Sequence, residues 1–250
     1  MKTRITYLYH SGFAVQTAGH FLVFDYWKNT PKGKGLDFGV VDPAALSGQD
    51  VIVFVSHKHG DHYNHDVHNW GKLIPKLRLV LSDDIHAAPG ALMIGPGQTS
   101  AHPDFKVTTL KSNDEGVAFV VEIDDLCIYH AGDLNWWHWE GEPDDENAQM
   151  ASSYKEQIAL LGSKQIDLAF VPVDPRLGEQ YAWGINHLMQ AAQVRWVVPM
   201  HFGDDSSVID RLLRDEASAK YRDRIIALTE RGASAEIRQS ADCKWLVSSG

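Results

Sequence analysis

The order of strand and helix patterns along the chain predicts an α/β protein of two sheets with outer helices, a four-layer αββα sandwich. Three observations carry this expectation. Strand patterns crowd the first third of the chain, a second β-rich stretch runs from Lys106 to His130, and helix and strand patterns alternate after Ala151.

Ile5 to Tyr9, Phe13 to Thr17 and Phe21 to Asp25 read as strands, with a hairpin turn at Ala18-Gly19-His20. Lys28 to Asp42, with its Gly, Pro and Lys, reads as a surface loop. Val51-Ile52-Val53-Phe54-Val55 is an unbroken apolar run of β-branched type, which fits a strand buried on both faces. A helix or irregular turn is expected over Asp66 to Leu73, and a strand over Leu77 to Leu81. Lys106 to Leu110, Val117 to Ile123 and Leu126 to His130 are three further strands, the last two joined by a turn at Asp124-Asp125. Glu140 to Glu146 reads as an acidic loop and Ala151 to Leu161 as a helix. Leu168 to Val173 reads as a strand, Asn186 to Val194 as a helix, Trp196 to Met200 as a strand, and Ser206 to Ala219 as a helix. There is no linker, repeat or low-complexity tract, so a single domain over residues 1–250 is the simpler organisation.

The formal net charge of −10 argues against a nucleic-acid partner, which needs clustered Lys and Arg. Cys127 and Cys243 form no CxxC, and Cys127 lies in an apolar run, as a buried free thiol would. The first residues lack the apolar core of a signal peptide, and no stretch of about 18 apolar residues is present. A cytoplasmic protein with no membrane association is therefore expected, and a homo-oligomer stays open.

The chemistry is sought where the 13 histidines cluster. His57, His59, Asp61 and His62 lie within six residues, directly after the buried strand. An extended segment points residues i and i+2 to one side, so His57 and His59 can reach one ion. Gly60 permits a sharp turn that re-aims Asp61 and His62 toward a second ion. Imidazole with carboxylate suits Zn, and also Fe or Mn. Packing alone does not explain four ligand-type side chains this close.

The segment His57-Lys58-His59-Gly60-Asp61-His62 resembles the HxHxDH signature of the metallo-β-lactamase superfamily. Asp25 at the end of an early strand, His130-Ala131-Gly132-Asp133, and Pro199-Met200-His201 resemble its other motifs. His10-Ser11-Gly12-Phe13 looks most like the branch that contains the ascorbate-6-phosphate lactonase. The resemblance implies the metallo-β-lactamase sandwich fold and a hydrolase with two ions, zinc foremost. His57 and His59 would bind the first ion, and Asp61, His62 and His201 the second, with Asp133 bridging. Asp61 and Asp133 would thus be the catalytic carboxylates, and Asp25 an outer residue that holds the loop. Hydroxide would attack an ester, lactone, amide or phosphoester bond of a small-molecule substrate.

The pattern departs from the family at its third motif, where Leu110 to Val117 contains no histidine. Asp114 is the best substitute ligand, with Glu115 next. The departure leaves altered metal preference, a single-metal site or lost hydrolysis open. An iron-dependent redox or sensing protein and a non-catalytic metal-binding protein are the alternatives. His10, Trp136, Asp174 and Arg176 are the candidate substrate-binding residues. Trp136 would wall a pocket, and Arg176 would grip a carboxylate or phosphate unless it simply pairs with Asp174. His187 and Tyr181 are weaker candidates, alternation puts His130 opposite Asp133 or beneath it, and His20, His65, His68 and His86 read as surface residues. No GxSxG elbow, P-loop or GxGxxG between strand and helix is present.

Overall fold

A computed structural model describes residues 2–239 and 245–249. By its internal contacts the chain divides into two compact units, Met1–Ile94 with Leu228–Gly250, and Gly95–Ala227. Each contains one mixed β-sheet.

The first unit holds eight strands: β1 (Lys2–Tyr9), β2 (Gly12–Gln16), β3 (Phe21–Phe24), β4 (Val51–Val55), β5 (Leu77–Ser82), β6 (Leu92–Ile94), and the C-terminal β13 (Ser234–Gln239) and β14 (Trp245–Ser249). Their order across the sheet is β14-β13-β1-β2-β3-β4-β5-β6. Pairing is antiparallel from β14 to β3 and parallel from β3 to β6. All five residues of β4 are buried, as the β-branched run predicts for a central strand with parallel neighbours. Val51, Val53 and Val55 share a core with Val67, Trp70 and Ile74 from the segment after the His/Asp cluster. That segment is a 3₁₀ run, His65–Lys72, capped by the Asn64 side chain on the Asp66 N–H.

The loop after β3 is held from the far end of the sequence. The Arg231 guanidinium donates to the carbonyls of Leu8, Lys28, Thr30 and Gly39. One rigid fork thereby ties three points of residues 28–39 to the end of β1.

The second unit holds β7 (Thr99–Ala101), β8 (Phe105–Lys111), β9 (Val117–Ile123), β10 (Leu126–His130), β11 (Gln165–Pro172) and β12 (Gln193–Met200), in the order β12-β11-β10-β9-β8-β7. Asp124 and Asp125 both take left-handed backbone (φ 48° and 58°), the conformation of a two-residue turn between antiparallel strands. Its helices are α1 (Asp144–Ala159), α2 (Trp183–Ala191) and α3 (Ser207–Arg214). Cys127 is buried on β10, and burial pushes its thiol up to about 11. Cys243 lies outside the described residues.

Several boundaries differ from the sequence expectation. The acidic segment is partly helix, because Asp144, Asp145 and Glu146 form the first turn of α1, where carboxylates complement the exposed N–H groups. Val194 belongs to β12, and α2 ends three residues earlier. The last helix stops at Arg214, since Asp215 turns to extended backbone and caps the next short turn through the Ala217 N–H. β6 and β7, three residues each, and the hairpin of β13 and β14 were not anticipated. No helix among the described residues is long and apolar enough to cross a membrane.

Candidate metal centre

In the first unit the site grows from the parallel pair β3 and β4. Their register sets Phe24 beside Phe54, so Asp25 emerges next to Val55 and Ser56. Asp25 is fully buried, takes left-handed backbone (φ 43°) and donates its N–H to the Phe54 carbonyl. One carboxylate oxygen accepts from the Ser56 N–H (2.8 Å); the other accepts from the Ser56 hydroxyl (2.6 Å) and faces His62 Nδ1 at 2.8 Å. The Ser56 hydroxyl also meets His57 Nδ1 at 2.9 Å.

These contacts decide the tautomers. A buried carboxylate accepts from His62 Nδ1–H, and a hydroxyl already donating to that carboxylate accepts from His57 Nδ1–H. Both rings therefore present Nε2 as the lone-pair nitrogen, the arrangement of a carboxylate–histidine–metal relay. The His57 ring lies 4.1 Å from that of His62 and 4.7 Å from that of His59, centroid to centroid. The turn after His59 closes through the His62 and Tyr63 N–H groups on the His59 carbonyl, and Gly60 needs no left-handed φ for it.

Asp61 and His62 point to a further imidazole. His10 Nε2 lies 3.5 Å from Asp61 Oδ2, and the His10 ring stands edge-on to that of His62. This imidazole holds the Asp61 carboxyl well below the usual carboxylate range, against its partial burial and with added pull from His62.

In the second unit the parallel pair β11 and β12 does the same work. Pro172 sits beside Met200, so Asp174 and His201 leave the sheet together. The Asp174 carboxylate lies 3.0 Å from His201 Nδ1 and also binds the Arg176 guanidinium and N–H. Burial would raise its pKa, but the bonds from His201 and Arg176 outweigh it and bring the carboxyl down to about 2. His201 Nε2 then faces Asp133 Oδ1 at 3.3 Å. Asp133 follows β10 through Gly132, whose positive φ (52°) lets the chain turn at the strand end. The Trp137 indole N–H donates to the Asp133 carbonyl, and its ring packs on the His201 ring at 5.5 Å.

Other expected residues lie elsewhere. Asp114 is exposed in the turn between β8 and β9, with its N–H on the Ser112 hydroxyl, and joins no His/Asp group among the described residues. The β8–β9 ladder runs to Lys111 opposite Val117, so residues 112–116 extend past the sheet end. Glu115 is half-buried beside it. Trp136 turns to Trp183 and His187, with Lys155 Nζ 3.8 Å above its ring; Trp137 is the neighbour that meets His201. Asp174 and Arg176 pair with each other, and the buried Asp174 serves His201. His130 is buried, accepts from the Gly132 N–H and packs on Phe170. Tyr181 binds Asp215.

Sequence reasoning missed Ser56 as a relay and Asn113 as a clamp. The Asn113 amide exchanges hydrogen bonds with the Asn135 backbone, tying the β8–β9 turn to the segment after Asp133. It also missed a cavity of about 690 Å³ in the first unit, lined by Lys58, Tyr63, His68, Asp84 and His86 among others. An imidazole spacing of i, i+3 in a 3₁₀ run was the available signal for His65 and His68, which both face it.

A family profile described as the β-lactamase superfamily domain matches residues 4–144, more than half of the chain and inclusive of His57 to His62 and Asp133. The chain belongs to the metallo-β-lactamase superfamily. A UPF0173 metal-dependent hydrolase of Opitutus terrae is 24% identical over 256 residues, covering 94% of this chain and all of that protein. A second such protein, from Thermofilum pendens, is 25% identical over 217 residues, covering 80% of this chain and 83% of its own. Among solved structures, a metallo hydrolase of Ignicoccus hospitalis matches with TM-score 0.61 at 17% identity, covering 96% of this chain and all of that one. The metallo-β-lactamase fold protein YhfI of Bacillus subtilis matches at 0.58 and 14%, covering 94% and 99%. The α/β fold expected from the sequence is thus the metallo-β-lactamase fold.

Proposed function

We propose that the chain is a metal-dependent hydrolase of a small-molecule ester, lactone, amide or phosphoester bond. In this reading residues 1–250 act as one domain, and His57, His59, Asp61, His62, Asp133 and His201 form one binuclear centre. What joins the donors of the two units is the family match, which runs through both His57 to His62 and Asp133. The names of the curated relatives support hydrolysis with a metal.

The observation that carries the reading is the disposition of the imidazole nitrogens. The Nδ1 atoms of His57, His62 and His201 each face an oxygen fixed from outside, at 2.9, 2.8 and 3.0 Å. Ordinary core histidines have no need of three such relays ending on Nε2. The donor set of imidazoles with two carboxylates fits Zn, Mn or Fe, and zinc is the first choice for a hydrolase.

When bound, two such ions lower the pKa of water and polarise the bond attacked. The residues of this chain do the rest. Asp25, Ser56 and Asp174 keep the imidazole protons on Nδ1. Asp133, one twentieth exposed, holds its carboxylate 3.3 Å from His201 Nε2. The Trp137 ring stands edge-on to that of His201. The net charge of −10 favours a small molecule over nucleic acid as substrate, and the chain's composition favours the cytoplasm.

The test is elemental analysis with a turnover screen on the full chain. Zinc or manganese near two equivalents, and turnover of a generic ester, lactone or phosphodiester that His59→Ala abolishes while the fold persists, is the expected result. Turnover indifferent to His59→Ala would remove the reading. Redox-active iron in protein purified without added metal would instead favour the oxidative alternative, to which a third motif without imidazole also points.

A further inference from the structure

The end of the β1–β2 hairpin carries an unusual backbone. Tyr9 (φ 151°) and His10 (φ 57°) are consecutive non-glycine residues outside the ordinary regions, at a register shift where Tyr9 pairs with Gly12. Gly12 suits the close approach there, because a Cβ would stand 3.0 Å from the carbonyl oxygens of Asp25 and Tyr9, a tight contact. The conformation is held in place: the His10 N–H donates to the Tyr7 hydroxyl at 2.8 Å. Strain of this kind persists where surrounding structure over-determines it, and it clusters at functional sites.

What the bulge achieves is the aim of one ring. One ligand atom from each of His10, Asp61 and His62 lies within 4.8 Å of the other two. The separation of His10 Nε2 from Asp61 Oδ2, 3.5 Å, is long for a charge-assisted contact. It matches another geometry: two donors about 2.1 Å from one ion at a tetrahedral angle stand roughly 3.4 Å apart. His201 Nε2 and Asp133 Oδ1, 3.3 Å apart, show the same spacing.

We propose that His10 is a metal ligand through Nε2, completing with Asp61 and His62 a two-imidazole, one-carboxylate face on the second ion. The inference rests on the metal reading above and extends it by a residue outside the HxHxDH pattern. A ligand face of two imidazoles and one carboxylate suits Fe and Mn as well as Zn.

The test uses the full chain with His10→Gly and His10→Asn, both compatible with left-handed backbone. Metal-free His10→Gly melts at or above the wild-type temperature, since the strain is relieved. Its affinity for one of two cobalt(II) ions falls about 100-fold or more, beyond the usual range for loss of an outer partner. The visible cobalt spectrum changes, and added imidazole restores it. His10→Asn gives the same loss and guards against a folding artefact in the glycine variant. Wild-type affinity and spectrum in both variants would overturn the role of His10 and leave the hydrolase reading intact. Weaker binding with an unchanged spectrum and no imidazole rescue would reduce His10 to a positioning residue, and the proposal fails. A wild-type chain that binds no cobalt would refute the metal centre itself.

Discussion

Asp25→Asn tests the relay with the smallest change of shape. Asparagine tolerates the left-handed backbone at this position, and the N–H bond to Phe54 is untouched. The Asn carbonyl can keep the Ser56 N–H, but the amide nitrogen then occupies the place of Oδ2. There it opposes two donors, the Ser56 hydroxyl at 2.6 Å and His62 Nδ1 at 2.8 Å. His62 can relieve the conflict by moving its proton to Nε2. The Ser56 hydroxyl can rotate to accept from the amide, but it then donates to His57 Nδ1 and drives that ring to the same tautomer. Both imidazoles would then carry a proton on Nε2, the nitrogen that the proposed centre offers to an ion.

Hydrogen bonds to a charged group contribute about 1.5–3 kcal/mol each. Two are lost and rearrangement recovers part, so metal-free protein should lose about 2–4 kcal/mol, read from urea unfolding. Metal affinity should fall about 10–100-fold, read by chelator competition. Long-range proton–nitrogen spectra of the metal-free protein report the tautomers directly. Unchanged tautomers with wild-type metal affinity would refute the reasoning, whatever happens to stability.

In the second unit, Asp174→Asn should show its effect through pH. The folded carboxyl at about 2 lies below the usual aspartate range, so the folded state favours the ionised form. Its contribution, about 2 kcal/mol, is present above pH 4 and is lost as pH falls from 4 to 2. The stability gap between wild type and variant in metal-free protein should close over that window; a constant gap would show that ionisation is not its source. For Arg231→Ala, the loss of four carbonyl bonds in a half-buried setting should cost about 2–3 kcal/mol and release amide protection over residues 28–39. Amide exchange that stays at wild-type rates there would assign the loop's order to other contacts.

Sequence legibility followed burial and adjacency. β4, β9 and β10 were bounded correctly because uniform apolar runs stop abruptly at polar residues, and Asp124-Asp125 supplies the turn. β6 and β7 are too short for any period to register, and α1 begins in residues whose charge reads as loop until the helix end they stabilise is seen. The cluster of four ligand-type side chains at His57 to His62 stands out from adjacency alone. Asp25, Asp133 and His201 came by resemblance. The service of Asp174 to His201 was not legible, because it depends on the β11–β12 register, which no local pattern encodes.

That register exposes a device used twice. In each unit two neighbouring parallel strands end together; one releases a buried carboxylate, Asp25 or Asp174, and the other leads to an imidazole, His62 or His201. In each pair the carboxylate engages Nδ1, at 2.8 and 3.0 Å, and one partner sits in left-handed backbone, Asp25 or His201. Parallel strands suit this purpose because their ends emerge side by side without a hairpin between them, so two loops of unrelated length deliver donor and acceptor to one place. In the proposed metal centre these carboxylates orient the ligand imidazoles. Neutralising either one should weaken metal binding through the imidazole it orients.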